Sequence, residues 1–154
     1  MQTRTVTGMN DRRLAIEAWE SLFRAQHEVF EEISIDFTGT ALSQGEYDVL
    51  LTVTRGVDQT ARLRDVTANM LISQPSVSRL VDRMVARGLI TKCADPEDGR
   101  GSLVTATELG ASSFREVAAN HGRSIAARMA CLEHDELVAL RELTAKLRRG
   151  RAAA

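Results

Sequence analysis

The sequence predicts a mainly α-helical fold with one short β-hairpin. Three observations carry that expectation. Apolar residues recur at three- and four-residue steps through most of the 154 residues. The period changes to an extended pattern only between Leu89 and Ala106. Only two prolines and ten glycines interrupt the chain, so long unbroken helices are possible.

Met1 to Met9 is polar and aperiodic and is expected to be a loose arm. Asn10, followed by Asp11, has the chemistry of a helix cap: a short polar side chain for free amides, then an acid at the positive end. Ile16, Trp19, Leu22, Phe23, Phe30 and Ile33 then mark one stripe of a long amphipathic helix. Asp36 to Leu42 is a loop. Ser43 opens a second helix, with Glu46 three residues on as the partner of a capping box. Tyr47, Leu50, Leu51 and Thr54 form its apolar face, and Gly56 is expected as a left-handed stop after Arg55.

Two short helices follow, Arg64 to Met70 and Gln74 to about Arg87, joined by Leu71, Ile72 and Ser73. Ser73 is in the capping place. Pro75 sits in the first turn, where a missing N–H costs nothing. Gly88 ends the helix. Leu89–Ala94 and Ser102–Ala106 read as strands. Between them, Asp95 to Gly101 has Pro at a turn's second position and Gly where positive φ is expected. Thr107 and Glu108 open the next helix, with Phe114, Val117, Ala118, His121, Ile125 and Met129 as its stripe. The last helix, Asp135 to Arg149, carries Leu137, Leu140, Leu143 and Leu147, with acids at its start and bases at its end.

The composition bounds the function. The chain weighs 16.9 kDa, enough for one domain with a single core. Hydrophobic residues make up 44% and charged residues 27%, ordinary for a folded domain and wrong for a disordered one. The net charge of −1 excludes a globally basic nucleic-acid binder but allows a basic face. Cys93 and Cys131 are the only cysteines, too few for a disulfide framework, so a cytoplasmic setting is expected. No secretory leader and no membrane-spanning run is visible. The dinucleotide, phosphate-loop, hydrolase-elbow and zinc-protease motifs are all missing, which argues against an enzyme.

Two short helices, a tight turn and a hairpin make a winged helix-turn-helix, whose second helix enters the major groove of duplex DNA. Along Gln74 to Arg87, a turn of 100° per residue sends Val77, Leu80, Val81, Met84 and Val85 inward. Pro75, Arg79, Asp82, Arg83 and Ala86 lie opposite, with Ser76 and Ser78 at the flanks. Arg forms two parallel bonds with guanine, Ser bonds phosphate or base, and Pro touches a thymine methyl. Gln74 at the helix start and Lys92 on the first strand complete the expected contact set. In the hairpin tip, Asp98 and Arg100 lie two apart and share a side. Asp98 can steady Arg100 as it enters the minor groove. A solvated tip with a weak surface pair is the plain alternative. Residues 62–100 carry seven bases and five acids, so a mildly basic face sits on an acidic body.

The pieces SVSRLVDRMVARGLI, DPEDGRG, TELG and LSQGEYDVLLTV, within a match from about Asn10 to Leu147, resemble the MarR family of bacterial transcriptional regulators. The resemblance implies one unit over residues 10–149. Residues 62–106 would be its DNA-binding lobe, and residues 10–35 and 112–149 its dimerisation helices. It implies a homodimer whose end helices interlock, binding to palindromic operators as a repressor, and release by a small anionic aromatic ligand. No cofactor is implied. Gly99 stands where a second base is common, and Ala106 where a larger apolar residue is usual.

Other residues admit plainer readings. Trp19 is either core or one wall of a ligand pocket. Cys93 and Cys131 are idle thiols or a redox switch. His134 lies three residues after Cys131, but one such pair does not make a zinc site. The runner-up functions are a winged-helix protein-interaction module and a redox-responsive regulator.

Overall fold

The computed structural model describes residues 9–70 and 73–150. Helix α1 spans Met9–Ser34 and passes through a 3-10 turn, Ile35–Phe37, and a loop to α2, Gln44–Thr54. A second 3-10 turn, Val57–Gln59, leads to strand β1, Thr60–Arg62, and helix α3, Leu63–Asn69. Helix α4 is Gln74–Ala86, strands β2 and β3 are Ile90–Asp95 and Asp98–Ala106, α5 is Glu108–Met129 and α6 is His134–Gly150. The expected loose arm, apart from Met9, and the Leu71–Ile72 connection lie outside the described residues.

The core belongs to the central lobe. Val49, Leu50 and Val53 from α2, Val66 from α3, Val77, Val81 and Met84 from α4, and Ile90 and Val104 from the sheet are all fully buried. Phe37, Tyr47, Phe114 and His121 stack at its upper edge, with ring centroids 4.9–5.3 Å apart. Burial of these side chains is the main stabilising term. By contrast, no residue of α6 is buried, and none from Asp11 to Ser34 in α1.

Several local expectations hold. Ser43 Oγ accepts from the Glu46 amide and Glu46 accepts from the Ser43 amide, closing the capping box. Pro75 lies in the first turn of α4, and Gly88 follows that helix at φ +71°, the left-handed stop. Thr107 caps α5 through the Gly110 amide.

Others are corrected. Asn10 lies within α1, which already includes Met9, so it does not cap that helix. Gly56 has φ −74° and is not a left-handed stop. It is required for space: a Cβ there would lie 1.8 Å from the Thr60 carbonyl oxygen. The positive φ angles fall instead on Asp58 and Gln59, which swing the chain into β1. In the hairpin, Asp95 pairs with Asp98 across Pro96 and Glu97, and neither Gly99 nor Gly101 has positive φ. Val85 faces outward at 39% exposure. Ser73 occupies the cap position of α4 without a side-chain cap bond.

The sheet has a third strand that the hydrophobic pattern did not show. β1 pairs antiparallel with β3, placing Thr60 opposite Thr105 and Arg62 opposite Leu103, so the order is β1-β3-β2. Thr60 and Thr105 hydroxyls bond at 2.8 Å.

Candidate nucleic-acid interface

Helix α4 presents the face that its periodicity predicts. Gln74, Pro75, Arg79, Asp82, Arg83 and Ala86 are exposed, and Ser76 and Ser78 are half-buried at the flanks. Val77, Leu80, Val81 and Met84 anchor the opposite side. Ser76 links the first turn: its hydroxyl lies 3.0 Å from that of Ser73 and accepts from Arg79 at 3.4 Å.

The exit of the helix is fixed by a residue outside the expected set. Arg87 donates to Glu46 and, at 2.9 Å, to the Ala41 carbonyl. Glu46 thus serves two elements, as capping partner of α2 and as socket for α4. Burial pushes its carboxyl up, but the Arg87 and Ser43 bonds outweigh that and hold it below the usual range.

The wing is braced from three sides. Lys92 on β2 donates to Asp82 on α4 at 3.1 Å, so this expected contact residue reaches the site already paired. Arg62, the last residue of β1, donates to Asp95 at 2.8 Å and also to Glu97. The Glu97 amide, joined by Arg62, holds the Asp95 carboxyl below its ordinary range. Asp98 accepts from the Arg100 backbone amide at 3.2 Å, and its other oxygen lies 3.8 Å from Arg64. It therefore steadies Arg100 through the main chain, while its ionic partner is Arg64. Sequence reasoning missed Arg62, Arg64 and Asp95, whose partners lie up to 35 residues away. Only the pairing of the three-residue strand β1 brings them together.

Between α3, the start of α4 and the wing lies a cleft of about 440 Å³, lined by Arg64, Gln74, Ser78, Asp98 and Arg100 among others. It brings expected contact residues from helix and wing onto one side. Trp19 does not join them. It lies on α1, 60% exposed, 5.9 Å from the Phe23 ring, so it is not part of the core of this chain. Cys93 and Cys131 are both free and exposed. Among the described residues, no cluster of three or more His, Cys, Asp or Glu side chains could hold a metal ion. Nor is any described helix long and apolar enough to cross a membrane.

The MarR family model matches residues 36–101, from the loop before α2 through the wing. The match spans the central lobe, which is similar in sequence to that family. The likeness in fold extends beyond that match to the helices at both ends of the described residues. AbsC, a MarR family transcriptional regulator from Streptomyces coelicolor, superposes with a TM-score of 0.79 at 20% identity, covering 99% of this chain and 100% of that one. A second MarR family regulator from the same organism, solved in complex with DNA, gives 0.77 at 18% identity, with 97% and 91% covered. Bordetella bronchiseptica BpsR, whose DNA binding is regulated by 6-hydroxynicotinic acid, gives 0.66 at 24% identity, with 82% and 98% covered. No curated protein matches the sequence.

Proposed function

We propose that the chain is a sequence-specific DNA-binding transcriptional regulator that represses as a homodimer on palindromic operators. The observation that carries this is the cleft that Gln74 and Ser78 of α4 share with Asp98 and Arg100 of the wing. Arg79, Arg83 and Arg100 all stand exposed, with Gln74, Pro75, Ser76 and Ser78 at the helix start. The MarR match over the same residues supports it. In this reading α4 lies in the major groove, Arg79 and Arg83 meet base edges or phosphates, and Arg100 enters the adjacent minor groove.

The exposed stripes on α1 and α6 support the dimer. Leu14, Ile16, Trp19 and Phe23 on one helix and Leu143 and Leu147 on the other are left open to solvent in one protomer. Apolar surface on this scale marks an interface. A two-fold dimer would set two α4 helices toward half-sites about one helical turn apart, or multiples of it.

Fluorescence anisotropy with the chain's own upstream duplex tests the proposal. Affinity should fall steeply and log-linearly with salt, as counterions are released from several phosphates. A scrambled duplex should bind far more weakly. Equal affinity for both duplexes, or no binding, refutes the role and favours a protein-interaction module. A small anionic aromatic effector belongs to the same proposal, motivated by family likeness and by the ligand response of BpsR. Its differential affinity for two lobe separations would set the operator-competent population.

A further inference from the structure

We infer that Arg62 is the positioning residue of the wing, fixing the hairpin turn against the start of α3 and so setting where Arg100 stands. The inference rests on the DNA-binding role proposed above.

Arg62 occupies the cap position of α3, where Ser, Thr, Asp or Asn would satisfy free amides, yet it makes no side-chain cap bond. Its side chain is committed elsewhere. β1 is an edge strand, and β3 separates it from β2. The guanidinium reaches across to the far end of β2. Nε donates to Asp95 Oδ2 at 2.8 Å, and Nη2 donates to Glu97. Asp95 is buried, with 3% of its side chain exposed, and its other oxygen accepts the Glu97 amide at 2.9 Å. One planar cation therefore holds both the acid at the base of the turn and the acid at its tip. An ammonium could not, because it is a single point charge without the fork. Three residues beyond Glu97 stands Arg100, its amide bonded to Asp98. Removing Arg62 leaves Asp95 a buried carboxylate without its cation, a state that opens its surroundings to recover solvation. The turn would then loosen, and Arg100 with it.

Arg62 is also one-third exposed and lines the cleft shared with Arg100. A direct phosphate contact is therefore the rival role, and the test separates the two. Affinity for the upstream duplex is measured for the full chain, Arg62→Met, Arg62→Lys, Arg100→Ala and the Arg62→Met/Arg100→Ala double variant. Amide hydrogen exchange of the wing is followed in parallel, without DNA. Arg62→Met should weaken binding about tenfold, the double variant should be no weaker than Arg100→Ala alone, and Arg62→Lys should recover only part of the loss. Exchange at the Glu97 and Arg100 amides should quicken at least about tenfold while α4 amides keep their rates. If the two losses multiply and the salt slope drops once for each arginine, Arg62 is a phosphate ligand and the inference falls. Unchanged exchange at Glu97 overturns it equally. Should Arg62→Met fail to fold, the exposed half of the clamp is tested by Glu97→Gln, with a smaller loss and the same non-additivity expected. If the unaltered chain binds no duplex, the DNA role has failed, and the exchange rates alone decide whether Arg62 holds the turn.

Discussion

Ser78 on α4 and Arg100 on the wing come from elements that share no local sequence, yet both line one cleft, and Arg79 is the exposed residue next to Ser78. If Arg79 reads a base with two parallel bonds, Arg79→Ala should weaken operator binding by about 1–3 kcal/mol and relax preference at one position. Unchanged anisotropy titrations with intact folding would remove it from the interface. Arg100→Ala should weaken binding too, with its loss concentrated on operators whose flanks have a narrow minor groove. The outward face of α4 was legible because helical periodicity alone orients Arg79, Arg83 and Pro75. The wing was only half legible. Asp98 and Arg100 are two apart and easily noticed, but Arg64, which faces Asp98, and Arg62, which holds Asp95 and Glu97, lie more than thirty residues earlier. Long-range ion pairs leave no periodic trace. Trp19, the only Trp, offers a further test at this scale. If an aromatic acid binds against α1, its addition should quench Trp19 fluorescence saturably and release the operator at matching concentrations. Quenching without release would detach Trp19 from regulation.

Between elements, the close approaches are made by glycines, and here the sequence misled for a physical reason. A glycine after a helix suggests a left-handed stop, as Gly88 provides. Gly56 looks similar in the sequence but serves packing, as does Gly110 in the first turn of α5. A Cβ on Gly110 would stand 1.9 Å from the Leu89 carbonyl oxygen, where the start of α5 presses on the exit of α4. Thr107 reinforces that junction, donating to the Gly88 and Leu89 carbonyls. Gly110→Ala must therefore push α5 away from the lobe, costing about 1–3 kcal/mol or more. Gly99→Ala, with open space around it, should change stability by less than about 0.5 kcal/mol. Urea unfolding of the two variants checks the contrast, and equal midpoints would refute it. β1 escaped notice because three residues are too few to display alternation, and its Thr60, Ala61 and Arg62 are all only half-buried.

Across the whole molecule, the two kinds of helix surface divide the labour. The lobe closes its own core, whereas α1 and α6 keep their apolar residues in water, with Leu143 and Leu147 both above 60% exposed. One acid with a depressed pKa ties the turn after α1 to α5. Asp36, just beyond α1, accepts from His121 and Ser124 on α5 at 2.9 Å each. The His121 bond is the main influence holding the Asp36 carboxyl below its ordinary 3.8. Its stabilisation is complete above that value and is lost as pH falls through the lower folded-state value, so acid should loosen this junction. Asp48 on α2 runs the other way. Burial raises its carboxyl, so ionisation at neutral pH opposes folding, and Asp48→Asn should raise the urea midpoint at pH 7.

The apolar stripes lead to the strongest expectation for the assembly. Leu143→Glu with Leu147→Glu alters no buried residue, so the lobe should keep its stability. If those side chains meet a second copy, light scattering should show the variant at half the mass of the unaltered protein. Operator affinity should then fall by about 10²–10⁴-fold, because each lobe would bind its half-site without the effective concentration that linkage supplies. Affinity for an isolated half-site should stay the same, which ties the loss to pairing rather than to damage in α4. A variant that keeps its mass and its affinity would show that these helices serve another partner. A variant that becomes monomeric yet binds the full operator undiminished would break the link between pairing and recognition.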